Sequence, residues 1–148
     1  MRDSVKVIEE TEKEFSKRFG RKYGFTEDYR CEDADIIVVA MGTLGKEAEV
    51  AIDLLRKEGI KAGSMRLRWL RPFPKLNLKG KQVVIIDRDY SFGRGGILAT
   101  EIMAQTKEDV FSVIAGLGGQ EVTYEDVADF IRNRRMGTEF WFGVSSNV

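Results

Sequence analysis

The sequence has 148 residues, enough for one domain of common size whose core needs no disulfide or metal staple. Its 24 Lys and Arg balance 24 Asp and Glu, so no net field draws it toward nucleic acid or an anionic membrane, and 43% apolar residues argue against disorder. A single cysteine, Cys31, and the absence of histidine exclude an internal disulfide, a Cys–His or Ser–His–Asp nucleophile and most zinc sites, and they favour a reducing cytoplasm.

No run approaches the ~18 uninterrupted apolar residues of a membrane span. The stretch from Met1 to Lys13 is charged and mixed in sign, without the apolar segment of a signal peptide. Charged residues make up 32% while Asn and Gln are scarce, a balance common in thermophile proteins.

Val5, Ile8, Phe15 and Phe19 fall on one helical stripe, and Gly20 offers a stop. The segment up to Arg30 reads as a charged loop that packs by Tyr23, Phe25 and Tyr29. Residues 1–30 are thus expected to form a helix and lead-in, with the main domain over 31–148. Asp35 to Met41 is a continuous apolar run suited to a strand buried on both faces. Thr43 can then N-cap a helix carrying Leu44, Ala48, Ile52 and Leu55, which Gly59 ends.

Ile60 to Leu70 reads as a second strand, with Met65, Leu67 and Trp69 alternating with Arg66 and Arg68. Arg71, Pro72, Phe73 and Pro74 end it. Gln82 to Asp87 is another buried strand, Ser91 to Gly96 a glycine-rich turn, and Ile97 to Gln105 a helix. Val110 to Ala115 is a fourth strand, closed by Gly116, Leu117, Gly118 and Gly119. Thr123 and Asp126 have the spacing of a capping box before a helix faced by Val127, Ala128 and Ile131, with Gly137 as its stop. The alternation of strands and helices predicts an α/β sheet with helices on both faces and ligands at the strands' carboxyl ends.

Several constellations invite a functional reading beside a plainer one. Gly93, Arg94, Gly95 and Gly96 precede a helix, where free amides could hold an anion with help from Arg88 and Arg94. The plainer reading is a tight strand-to-helix turn, since the spacing fits neither a dinucleotide fingerprint nor a P-loop. Arg68, Arg71, Arg88 and Arg94 would lie near one edge if their strands were adjacent, facing an acidic partner or a phosphorylated cofactor. The alternative is pairing within the domain, with Asp87, Asp89 and other acids. Asp87 and Asp89 read as turn-capping carboxylates rather than a metal or base pair. Cys31 reads as a bystander. Phe140 to Phe142 suits equally a docking surface or a short strand folded onto the domain.

The order of these pieces resembles a known family. RWLRPFP, DRDYSFGRGG and GLGGQEVTYED, together with the segment from Phe15 to Pro74, are similar to the second domain of the alpha subunit of pyruvate and related 2-oxoacid:ferredoxin oxidoreductases. The likeness runs from about Phe15 to Val144.

The resemblance implies a three-layer α/β/α sandwich around a mostly parallel five-stranded sheet with an antiparallel edge, like the transketolase C-terminal domain. It implies an enzyme complex that makes acyl-CoA and CO2 from a 2-oxoacid using thiamine diphosphate, magnesium, iron–sulfur clusters and coenzyme A. None of these cofactors is expected on this domain, which lacks cysteine clusters and a diphosphate–magnesium motif. The isolated domain is expected to be inactive and to have no catalytic residue of its own. Its expected partners are the other domains and subunits, with ferredoxin only indirect, and no nucleic acid or membrane. As an alternative, Arg88, Arg94, Gly95 and Gly96 would form an edge binding coenzyme A or another phosphorylated ligand.

Overall fold

The structure, a computed structural model, describes residues 2–106 and 109–143, with side chains from Ser4 onward. Helix α1 (Arg2–Phe19) is followed by strand β1 (Thr26–Tyr29), β2 (Ile36–Met41), α2 (Leu44–Lys57), β3 (Ala62–Leu67) and β4 (Gln82–Asp87). Then come α3 (Ile97–Thr106), β5 (Val110–Ile114), a 3-10 turn (Leu117–Gly119), α4 (Tyr124–Arg132) and β6 (Glu139–Trp141).

Among the described residues the sheet has six strands in the order β1-β3-β2-β4-β5-β6. All neighbours run parallel except β1, which pairs antiparallel with β3, Glu27 opposite Arg66. From β2 the chain steps through α2 to β3 on one side, and from β4 through α3 to β5 on the other. Strand order therefore reverses between β2 and β4, as in doubly wound sheets. The segment to Arg30, read from sequence as loop alone, contains β1. Thr-Glu-Asp-Tyr has no apolar alternation because it is an edge strand whose main work is pairing with β3.

The central strands are apolar on both faces because both faces are covered. On one side Val38, Val84, Ile86 and Val113 pack with Ala48, Ile52 and Leu55 of α2 and Val127 and Ile131 of α4. On the other, Ile37, Val39, Val83 and Ile85 pack with Leu98, Ala99 and Ile102 of α3 and with Leu76 and Leu78 of the β3–β4 crossing. This is the three-layer α/β/α sandwich that the resemblance implies, with six strands rather than five. Burying each of Ile52, Ile85 and Ile102, none of which is exposed, stabilises the fold by about 1.5–3 kcal/mol.

Helix ends follow local chemistry. At the C-terminus of α2 the amide of Gly59 (φ +83°) donates to Arg56 O and that of Ile60 to Leu55 O, a Schellman close. Thr123 caps α4 with the full capping box, its hydroxyl accepting from Asp126 N and Asp126 accepting from Thr123 N at 2.8 Å. Thr43 stands at the same position before α2 but has helical backbone angles and makes no side-chain cap bond. Helix α4 ends at Arg132, capped by Asn133, so Gly137 belongs to the turn into β6 and not to the helix stop.

Candidate interface at the carboxyl rim of the sheet

Because β2, β3, β4, β5 and β6 are parallel, their carboxyl ends share one rim. Gly42 after β2, the turn from Ser91 to Gly96 after β4, and Gly116 to Gly119 after β5 gather there. The parallel topology brings these three glycine turns onto one edge.

The turn after β4 is tightly tied. Ser91 N donates to Gly95 O at 2.9 Å, Gly95 N returns to Ser91 O at 3.0 Å, and Arg94 N donates to Ser91 O at 2.9 Å. The buried Asp87 then takes the first turn of α3. Leu98 N and Ala99 N donate to its two carboxylate oxygens at 2.9 Å each, and Ile97 N donates to Asp89 Oδ1 at 3.0 Å. The carboxylates thus occupy the amides that an external anion would need at this helix start, and they are the capping groups that the sequence suggests. Burial pushes the Asp87 carboxyl up to about 6 against the two amides, with Asp89 and Glu139 nearby adding to the rise. At neutral pH it is ionised and caps the helix.

Of the residues singled out for an anion edge, Gly95 and Gly96 close this turn. Gly96 lies against Asp87, where a β-carbon would stand 2.6 Å from Asp87 Cγ. The Arg88 side chain crosses the backbone at Gly116, where a β-carbon would meet its Nε at 2.7 Å. Arg88 and Arg94 are exposed, and neither forms an ion pair with a described residue.

Arg66 and Arg68 go elsewhere, since β2 separates β3 from β4. Arg66 and Arg68 pair with Glu27 of β1, and Arg71 pairs with Glu101 of α3. The expected single cationic edge is therefore split, and the pairing within the domain uses Glu27 and Glu101 rather than Asp87 and Asp89. Burial pushes the Glu27 carboxyl up, but Lys46, Arg66 and Arg68 around it hold it below the usual carboxylate range.

Aromatic groups complete the rim. Tyr90 packs on Trp141 of β6 with ring centroids 4.5 Å apart and meets Phe92 edge-on at 5.8 Å. Phe92, at the tip of the turn, is 96% exposed. Phe140 points to the opposite face of the sheet, stacking on Phe111 at 6.4 Å and meeting Phe130 at a tilt at 6.0 Å. There, with Phe142, it lines a cleft of about 470 Å³ edged by Asp129 and Glu139. The tail aromatics are thus a strand and remain partly exposed. Sequence reading passed over Phe92, although an aromatic side chain at the tip of a glycine-flanked turn has little structure to bury against.

Cys31 is half-buried, and its thiol donates to Ser64 O at 3.2 Å and to Tyr29 O at 3.6 Å. Burial pushes it up to about 11, so it is protonated and unreactive at neutral pH. Among the described residues no three His, Cys, Asp or Glu side chains gather as a metal site, and no helix is long and apolar enough to cross a membrane.

Known proteins share this organisation. Residues 34–127 match the model of the family described as pyruvate:ferredoxin oxidoreductase core domain II. The chain is 41% identical over 138 residues to pyruvate synthase subunit PorA of Methanothermobacter thermautotrophicus, covering 89% of this chain and 36% of that one. It is also 41% identical to ketoisovalerate oxidoreductase subunit VorA of Pyrococcus horikoshii, covering 84% of this chain and 34% of that one. The chain thus spans about a third of the length of these relatives.

Among solved structures, 2-oxoglutarate:ferredoxin oxidoreductase from Magnetococcus marinus, with 2-oxoglutarate, coenzyme A and succinyl-CoA bound, superposes with a TM-score of 0.56 at 22% identity. That match covers 80% of this chain and 20% of that one. A split gene transketolase, in an inactive beta4 tetramer, also gives 0.56 at 18% identity, covering 77% and 43%. At such identities these two structures speak for the fold, the transketolase-like sandwich. The family model and the PorA and VorA identities carry the assignment: the chain belongs to the pyruvate:ferredoxin oxidoreductase core domain II family.

Proposed function

We propose that this chain is a non-catalytic structural and interface domain of the alpha subunit of a thiamine-diphosphate-dependent 2-oxoacid:ferredoxin oxidoreductase, the complex that makes acyl-CoA and CO2. The observation that carries the reading is 41% identity over 138 residues to pyruvate synthase subunit PorA. The chemistry agrees. One cysteine and no histidine cannot ligate an iron–sulfur cluster, so electron transfer belongs to other parts of the complex. What this chain offers instead is a rim of Tyr90, Phe92 and Trp141 with two guanidiniums that lack an ion-pair partner among the described residues, the residue types enriched where proteins dock.

In this reading, helix α1 and the lead-in over 1–30, whose β1 already forms an edge of the sheet, join the domain over 31–148 to the rest of the subunit. The partners are the thiamine-binding domains and subunits, ferredoxin is reached only through them, and the complex is cytoplasmic. The alpha-subunit relatives in Methanothermobacter, Pyrococcus and Thermotoga support a thermophile setting.

Co-expression with the chains that carry the thiamine-binding domains tests the proposal. The expected result is co-elution, with 2-oxoacid-dependent reduction of ferredoxin that is lost when this chain is left out. Separate elution, with activity indifferent to its presence, overturns it.

A second reading places coenzyme A or another phosphorylated ligand at the edge formed by Arg88, Arg94, Gly95 and Gly96. It is favoured by the two exposed guanidiniums that lack a carboxylate among the described residues. The amides of α3 cannot contribute, because Asp87 and Asp89 hold them, so the arginines alone would carry the affinity. Calorimetry with coenzyme A is expected to show binding that Arg94→Ala weakens, and no heat at millimolar ligand ends the idea.

A further inference from the structure

The two edges of the sheet are protected differently. At one, β1 carries Glu27 and Asp28, and Glu27 is clasped by Arg66, Arg68 and Lys46. Charge of this kind keeps an edge strand from pairing with another chain. At the other, β6 presents Glu139, Phe140 and Trp141, and its two aromatic side chains are 43% and 36% exposed.

The backbone of β6 is half used. Thr138 O accepts from Ser112 N at 3.0 Å, and Phe142 N donates to Ile114 O at 2.9 Å, so residues 138, 140 and 142 turn their peptide groups toward β5. In a parallel ladder the residues between them turn theirs the other way. The N–H and C=O groups of Glu139 and Trp141 therefore face away from β5, where no further strand stands among the described residues.

Beside this edge lies the cleft between α4 and β6. Its volume of about 470 Å³ falls within the roughly 300–1,000 Å³ of ordinary binding clefts. Buried Phe111 and Phe130, with the partly exposed Phe140 and Phe142, supply its apolar lining. Among the described residues Asp126, Asp129 and Glu139 line it against one cation, Arg135. Arg132 does not restore the balance, because it is divided between Asp129 and Glu58.

We propose that the β6 edge receives an extended segment of a partner polypeptide as a seventh strand, with a bulky apolar residue opposite Phe140 entering the cleft and Lys or Arg on either side of it. Residues opposite one another on paired strands share a face, so a residue beside Phe140 points where Phe140 points, and its neighbours lie beside Glu139 and Trp141. Main-chain hydrogen bonds supply affinity, and the cleft with its carboxylates supplies selectivity. A second copy of the chain suits the edge badly, because it would bring the carboxylates of one cleft against those of the other. The site is the open side of β6 and not the carboxyl rim, and the inference does not rest on the subunit reading.

Amide hydrogen exchange of the 148-residue chain, read by NMR with and without the end-blocked peptide Lys-Arg-Leu-Arg-Lys, tests it. Slower exchange at the Glu139 and Trp141 amides is expected, with calorimetric binding below about 1 mM. Phe140→Ala and Glu139→Lys are each expected to weaken binding at least about tenfold while the circular dichroism melt is unchanged. Serine in place of the peptide's leucine should weaken it likewise. N-methylation of the peptide's three central amides should abolish binding, since it removes the strand's donors and keeps its charge.

No heat at millimolar peptide, binding that N-methylation leaves intact, or binding without protection of the two amides overturns the proposal. So does protection of both amides in the chain alone, which would give the edge to a second copy or to the chain itself, as sedimentation then decides. Peptide binding and co-elution with the thiamine-binding chains are separate measurements, so this inference and the subunit reading fail independently.

Discussion

The Asp87 carboxylate lies so close to the α-carbon of Gly96 that any side chain there would drive into it, a β-carbon standing 2.6 Å from Cγ and 2.9 Å from Cβ of the aspartate. Asp87 cannot retreat, because Leu98 N and Ala99 N hold its two oxygens and β4 fixes its backbone. Gly96→Ala is therefore expected to destabilise the chain by about 1–3 kcal/mol through overpacking, measured as a lower urea midpoint with unchanged slope. An alanine variant as stable as the parent would show that the cap can shift at little cost.

Asp87 also sets a pH dependence. Its folded-state value of about 6 is raised above the ordinary 3.8, so between those values the folded chain holds a proton that the unfolded chain has released. The contribution of this group to stability is thus present below the ordinary value, declines as pH rises through the folded one, and is flat above it. A carbon-detected NMR titration is expected to place the Asp87 midpoint near 6. Asp89→Asn should lower that midpoint, since the neighbouring charge is one of the causes of the rise. A midpoint in the ordinary carboxylate range would mean that the two amide donors outweigh burial.

Two threonines precede helices, and only one works as a cap. Thr123→Ala should cost about 1 kcal/mol, because it removes the hydroxyl bonded to Asp126 N and leaves the reciprocal bond unsupported. Thr43→Ala should cost less than about 0.5 kcal/mol, because its side chain makes no cap bond. Thermal melts of the two variants side by side check the ordering.

Cys31 should resist alkylation at neutral pH in the folded chain and react quickly once the chain is unfolded in urea. Burial pushes its thiol up to about 11, and the thiol donates a hydrogen bond to Ser64 O. Rapid labelling of the native chain by iodoacetamide would contradict this.

The parts legible from sequence were those whose signal is local. Runs such as Ile36–Met41 and Gln82–Asp87 are apolar because both faces are covered, and the Thr123–Asp126 spacing holds its own hydrogen bonds. The strand Thr26–Tyr29 was illegible because its reason lies across the sheet. Glu27 sits opposite Arg66 and also meets Arg68 and Lys46, so charge and not an apolar alternation holds it. The pairing of Arg66 and Arg68 with Glu27 rather than near Arg88 was hidden for a similar reason, since β2 comes between β3 and β4 and strand order is not written in any window of sequence. At the rim, the glycines and arginines could be found, but not that Asp87 reaches back into the first turn of α3, a relation between residues eleven apart that only the turn geometry creates.

Among the described residues, β1 has its one partner in the sheet in β3, beyond β2 and the whole of α2. As the polypeptide leaves the ribosome, Thr26–Tyr29 must therefore wait, its amides solvated and its edge available to wrong neighbours, until Ala62–Leu67 has emerged. Glu27, Asp28 and Arg30 give this waiting segment charges that discourage pairing with other nascent chains, so Glu27, which clasps Arg66 of β3 in the finished sheet, also serves as a gatekeeper during synthesis.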